Sequence, residues 1–361
     1  MGNNKNISVK QACMLIMLEI LGVGFVSVPN FAFTMAWRDG LCVILLASLL
    51  SAAYTYFIVS RFGGRGVFDT SESVLGRVTA KILRYGFIVK SVLLAGFGMR
   101  MFAHTVTRIL ESDIPAPVII ISLALCMLYP AFSGRKTRGA LAELFLLPFA
   151  AVLIFVLVCG MRDADFDELL PIFAQDGGDI FSAVISTALW FYPVEYMLVS
   201  MPYISGEDSA KKCAFAVFAA GAIMAAVFAL TLARFGGAQI GSMNYPVLEM
   251  MYSVNIPGSF IERQEGLMLG LWTVGVFFTL GGCIYHAGVC GGELIGGSAN
   301  VAAVLCTIAA AAAGIMVKSG ESAADYFTNV LLAGESIYFA VLPVVLAIGL
   351  VLEGRKNETV S

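Results

Sequence analysis

Three carboxylates fall in stretches otherwise too apolar to hold them: Glu19, Glu143 and Glu195. A charge at membrane depth is expensive, so such an acid pairs with a cation, carries a proton or meets a ligand. Glu195 follows Trp190-Phe191-Tyr192-Pro193, where the proline denies a helix one backbone donor. It can cap the amides that such a break frees, contact a ligand ammonium, or carry a proton. Glu19 stands about one turn before Leu21-Gly22-Val23-Gly24-Phe25; it faces the same place or pairs with a cation such as Lys90. Glu143 lies near a span end beside Arg138, where a long side chain reaches water. Cys283, His286 and Cys290 share one helical face, but a metal site needs further ligands and supporting partners that the sequence does not offer. No phosphate loop, nucleophile elbow or metalloprotease helix occurs. We therefore expect no enzyme, no catalytic residues, no cofactor and no metal.

The elements that must position these acids are interrupted helices. The run from about Val9 to Ala36 is long enough to cross a bilayer, which takes roughly 20 apolar residues. Glycine inside a helix costs about 1 kcal/mol against alanine, and Pro29 removes one more donor. Hydrocarbon cannot hydrate freed N–H and C=O groups, so interrupted backbone survives there only against protein or a polar cavity. The sequence thus predicts half-helices in the first span, split at Gly22–Gly24, and in the sixth, split at Trp190–Glu195. Interruptions at matching positions of two halves point to a transporter-type site. Amides opening the second half-helix suit a carboxylate, and carbonyls closing the first suit an ammonium. Gly22, Val23 and Gly24 then present backbone to the ligand, with Phe25, Trp190, Phe191, Tyr192, Pro193 and Glu195 around it. The plainer alternative is a pair of packing kinks, since Gly and Pro are common in membrane helices.

Composition sets the frame. The 361 residues are 59% hydrophobic and 13% charged, with mean hydropathy +0.87, against roughly 25% charged in soluble domains. The chain reads as an integral membrane protein forming one transmembrane domain over residues 1–361. The net charge of −3 gives no basic face for nucleic acid. The eight cysteines form no C-x-x-C pair and read as small packing residues. The first apolar run is too long for a cleavable signal peptide and lacks a small-residue cleavage site. Ten spans can be drawn, near 9–36, 41–60, 85–108, 116–133, 139–160, 178–203, 213–234, 264–289, 299–317 and 333–352. Basic residues gather on one side, at Lys5, Lys10, 61–84, Arg135, Lys136, Arg138, Lys211, Lys212, Arg355 and Lys356, which puts both termini in the cytoplasm. Five spans per repeat invert the second half, giving repeats near 9–160 and 178–352. An acidic outer connector (Asp163, Asp165, Asp167, Glu168, Asp176, Asp179) reads as solvated. Pro246 to Tyr252 has the spacing of a short amphipathic helix that lies on the membrane or caps the bundle.

Short motifs then fall in a recognisable order: Leu21-Gly22 with Pro29; Leu169-Leu170-Pro171; Phe191, Pro193 and Glu195; Met201-Pro202-Tyr203; Tyr245-Pro246-Val247-Leu248-Glu249; Glu262-Arg263-Gln264-Glu265; and Trp272. In this order the chain resembles the spore germination permease family, the B-type subunits of nutrient germinant receptors in endospore-forming bacteria. That family sits within the amino acid–polyamine–organocation superfamily. The resemblance implies an all-α fold of ten helices in a five-plus-five inverted repeat, with helices 1 and 6 interrupted. It implies a nutrient-sensing subunit, often for an amino acid, beside A-type and C-type partners and membrane lipid, in the spore inner membrane or cell membrane. A proton- or sodium-coupled amino acid permease is the alternative. By position, the family's pocket carries over to Gly22, Gly24, Phe191, Pro193 and Glu195; Gly96 and Phe278 join it on the fold alone. The Glu262–Glu265 segment is implied as an ion pair or a partner contact.

Overall fold

The computed structural model describes residues 6–62, 66–110, 113–170, 177–240, 243, 246–253 and 264–358. Pro171, Asp176, Tyr245, Glu262 and Arg263 lie outside them. Apolar runs become helices because a helix satisfies its own backbone, which lipid cannot do. In chain order these are α1 (Val9–Ala36), α2 (Gly40–Phe62), α3 (Val67–Leu75), α4 (Arg77–Ile109) and α5 (Ala116–Gly160). Next come α6 (Gly177–Leu189), α7 (Met197–Ser200), α8 (Ser209–Ile240), α9 (Pro246–Ser253) and α10 (Gln264–Ile295). The series ends with α11 (Ala299–Met316), α12 (Gly320–Glu335) and α13 (Leu342–Glu358). Among the described residues seven stretches are long and apolar enough to cross a membrane, and a bent pair around residue 190 makes an eighth. Two of the seven are double length. One turns after Ala36, at Trp37 (φ 48°). The other turns at Gly134, whose φ of 78° a side chain would resist. These are the places where the ten-span division cuts them.

The first span differs from expectation. α1 runs unbroken from Val9 to Ala36, opened by a capping box between Ser8 and Gln11. Its glycines make a helix crossing instead of a gap. A Cβ on Gly22 would overlap the Gly275 carbonyl and the Thr279 hydroxyl of α10, and one on Gly275 would meet Gly22 Cα. Small residues let membrane helices approach backbone to backbone, and packing replaces the hydrophobic drive that lipid cannot supply. The strain that sequence assigned to this point surfaces in another form. Thr279 Oγ1 donates to the Glu19 carbonyl (2.7 Å) and accepts from the Val23 amide (3.3 Å), the two ends of one helical rung. A side chain thus inserts into the backbone ladder without ending the helix.

The sixth span is interrupted as expected. α6 stops at Leu189, and the chain resumes at Tyr192 with its axis turned by 48°. A short tight helix over Tyr192–Tyr196 leads into α7. Just beyond, the two-residue strand β2 (Ile204–Ser205) pairs in parallel with β1 (Ile7–Ser8), tying the entry of α1 to the exit of this span. The final span starts earlier than position 333. α12 begins at Gly320, and a π-helical turn over Ser336–Val341 joins it to α13. α9 is the expected short helix. Val247, Leu248 and Met250 are buried, so it caps the bundle against α1, α8 and α10. In the acidic connector, Arg38 pairs with Glu168 at 2.9 Å.

The crossing gives a graded prediction. Gly22→Ala forces α1 and α10 apart and lowers stability by about 1–3 kcal/mol. Gly24→Ala, whose new methyl meets only Met224 Sδ at 3.2 Å and Val28 Cγ2 at 3.8 Å, costs less. Thermal denaturation of the detergent-purified variants ranks them.

Candidate functional site

Five acidic and basic side chains, from five different helical segments, form two buried clusters inside the bundle. Lys90 of α4 binds Glu195, in the turn after α6, and Glu335, at the end of α12. Arg138, four residues past the Gly134 turn in α5, binds Glu19 of α1. All five are buried; Glu195 and Glu335 have no exposed surface at all. Aromatic faces complete the cationic shells: Lys90 Nζ stands 5.1 Å from the Tyr338 ring centroid, and the Arg138 guanidinium 4.3 Å from that of Tyr285. The π-helical turn widens the backbone directly after Glu335, and such turns gather at functional positions.

The break in helix 6 satisfies its own amides. Trp190 N–H donates to the Thr187 carbonyl and Phe191 N–H to that of Ala188, each at 3.1 Å; Val194 N–H donates to Phe191 at 2.9 Å. Glu195 makes no cap to these amides and goes to Lys90 instead. One turn on, the Tyr196 hydroxyl bonds Cys283 Sγ at 2.8 Å, and its ring stacks on His286 at 4.4 Å. His286 Nδ1 donates to the Gly282 carbonyl, and its Nε2 shares a hydrogen bond with the Ser200 hydroxyl at 2.9 Å. Cys283 and His286 thus bind helix 6 to α10. Among the described residues no three His, Cys, Asp or Glu side chains are grouped to hold a metal.

The expected pocket residues fall into three groups. Trp190, Phe191, Tyr192, Pro193 and Glu195 share the turn, where Trp190 and Tyr192 both pack on Phe327 of α12 and Trp190 also meets Phe31. Gly22, Val23, Gly24 and Phe25 face other neighbours: α10 for Gly22 and Val23, Met224 of α8 for Gly24, Phe149 of α5 for Phe25. Gly96 lies at a separate crossing, against the Ala310 carbonyl and Gly314 of α11, and Phe278 packs on Phe145. Other expectations are corrected by the pairings. Glu19 takes Arg138 rather than Lys90, Glu143 takes Lys10 at 2.6 Å, and Arg138 is interior, not a loop residue. Glu335 was missed altogether. A span drawn from 333 puts it at the rim; a helix begun at Gly320 carries it inside. At the end of the bundle near Gly134, a cavity of about 420 Å³ opens between Arg135, Tyr203, Tyr285, Glu293 and Asn300. Its Tyr285 wall is the ring on which Arg138 rests.

A family profile described as "Spore germination protein" matches residues 6–322. The chain belongs to this spore germination family. Spore germination protein A2 of Bacillus subtilis (strain 168) is 23% identical over 280 residues, 74% of this chain and 75% of its own. Among solved structures, MhsT in complex with L-phenylalanine superposes with TM-score 0.68 at 12% identity, covering 96% of this chain and 90% of that one. A manganese transporter of Eremococcus coleocola gives 0.55 at 12% identity, covering 94% and 78%. The chain therefore has a transporter-like, membrane-spanning helical fold.

Removing one partner of a buried pair strands the other charge, at about 3–5 kcal/mol. Arg138→Met should show that loss as a lowered thermal midpoint, and adding Glu19→Leu should recover most of it.

Proposed function

We propose that this chain is the nutrient-sensing subunit of a spore germinant receptor, binding a small ligand, most simply an amino acid, between α1 and the interrupted sixth helix. The observation that carries this reading is the hinge at Trp190–Glu195. It is the one bent break among the candidate spans of the described residues, and it brings Glu195 into a buried ion cluster. A zwitterion seated there competes for the same charges and so favours one position of helix 6 over another. A ligand shifts an equilibrium only through such a difference between states. Tyr192 supports the reading further: its hydroxyl is buried at the hinge with no hydrogen-bond partner among the described residues. The solved neighbour with L-phenylalanine bound supports an amino acid as the first class to try. The cavity between Arg135, Tyr203 and Tyr285 is the approach in this state, and the Arg138–Glu19 pair closes it inwardly.

In this reading A-type and C-type subunits sense the helix-6 position, the chain resides in the spore inner membrane or the cell membrane with both termini cytoplasmic, and the two repeats run near 9–160 and 178–352. The transporter-like fold favours one second reading, an ion-coupled amino acid permease.

Thermal shift across the amino acids tests the site, since a binder stabilises the folded state by mass action. At least one should raise the midpoint, and Tyr192→Phe should weaken that binder up to about tenfold without lowering the unliganded midpoint. Reconstituted alone, the chain should bind the labelled amino acid without concentrating it under a proton or sodium gradient. Concentrative uptake would establish the permease instead. A panel with no binder, with partner subunits present or absent, sinks the ligand site.

A further inference from the structure

The ion cluster does not balance. Arg138 and Glu19 close as a neutral pair, whereas Lys90 alone faces two carboxylates, Glu195 and Glu335. Each carboxylate gives Oε1 to the Lys90 ammonium, and the Oε2 of each is buried with no hydrogen-bond partner among the described residues. Around these charges stand the phenols of Tyr54 on α2, Tyr192 and Tyr196 in helix 6 and Tyr338 in the π turn, and the thiols of Cys283 and Cys290 on α10. Half of these six hydrogens are committed elsewhere. Tyr54 donates to the Tyr338 carbonyl, Tyr338 to that of Leu83, and Tyr196 is engaged with Cys283. Among the described residues no second cation reaches the two carboxylates.

One negative charge in a fully buried, membrane-embedded site is not sustained without a counter-charge. We propose that Glu195 and Glu335, both bound to the Lys90 ammonium, together hold one exchangeable proton on their unpartnered Oε2 atoms. Two carboxylates that converge on one point do not both ionise, and the proton belongs to the pair rather than to either residue. A proton also needs no coordination shell, which suits two side chains with no exposed surface. The acids ride on different elements, the helix-6 turn and the end of α12. Parting them breaks the shared hydrogen bond and releases the proton to water, so occupancy follows the position of helix 6. None of this depends on nutrient binding, and its test uses the unliganded chain.

Infrared spectroscopy of the purified full-length protein at neutral pH, where exposed carboxyls are ionised, should show a protonated-carboxyl C=O band that shifts in D2O. Glu335→Gln and Glu195→Gln should each abolish it while keeping neutral hydrogen bonding in place. The folded chain holds a proton that the unfolded chain releases, so the wild-type thermal midpoint should fall as pH rises, and Glu335→Gln should flatten that slope. A wild-type spectrum without the band, a band that survives both variants, or equal pH slopes would overturn the proposal. So would a sodium-specific rise in the wild-type midpoint, relative to choline at equal ionic strength, that Glu335→Gln removes; the counter-charge would then be sodium. The wild-type spectrum decides even if a variant fails to fold.

Discussion

The Lys90 ammonium is the point on which the arrangement turns. Between helices in a bilayer the hydrophobic effect offers little, because lipid tails are as apolar as leucine. What selects one packing is polar contact, and a single ammonium here draws acids from the hinge of helix 6 and the end of α12 onto α4. Arg138 repeats the device between α5 and α1. Such clusters contribute little net stability over well-packed apolar residues, but losing one member is severe. Their effect is to make the wrong arrangement costly rather than the right one especially stable.

Around that cluster α1 and helix 6 differ in build. α1 is held rigid at its crossing with α10, where Gly22 and Gly275 leave no room for movement and Thr279 grips one backbone rung. Helix 6 is jointed, with its loose amides tied off locally by tight turns. A rigid wall facing a hinged one suits a protein of a spore germination family with a transporter-like fold, since a small change at the hinge becomes a change in helix direction.

Much of this was legible from residue types alone. The apolar runs, the break at Pro193, the short helix after Pro246 and the family motifs all follow from composition and spacing. The misreadings share a physical cause. Gly22 and Gly24 signal either a broken helix or a close crossing, and only the partner, Gly275, decides between them; it lies on another helix. Arg138 looked like a loop cation because a span end is invisible to hydropathy, and the Gly134 turn sends it inward. Glu335 escaped because the tenth helix starts at Gly320 with polar residues that lower its apparent hydrophobicity. Pairings between charges far apart in sequence, such as Lys90 with Glu335, leave no local trace.

The pairing of Ile7–Ser8 with Ile204–Ser205 is small, yet it fuses two ends mechanically. The residues that lead into the rigid α1 are stitched to those that leave the jointed helix 6. Ile7 and Ser8 are thereby held to the far side of the hinge from α6, so the start of α1 keeps its register with the segment beyond the bend rather than with the segment before it.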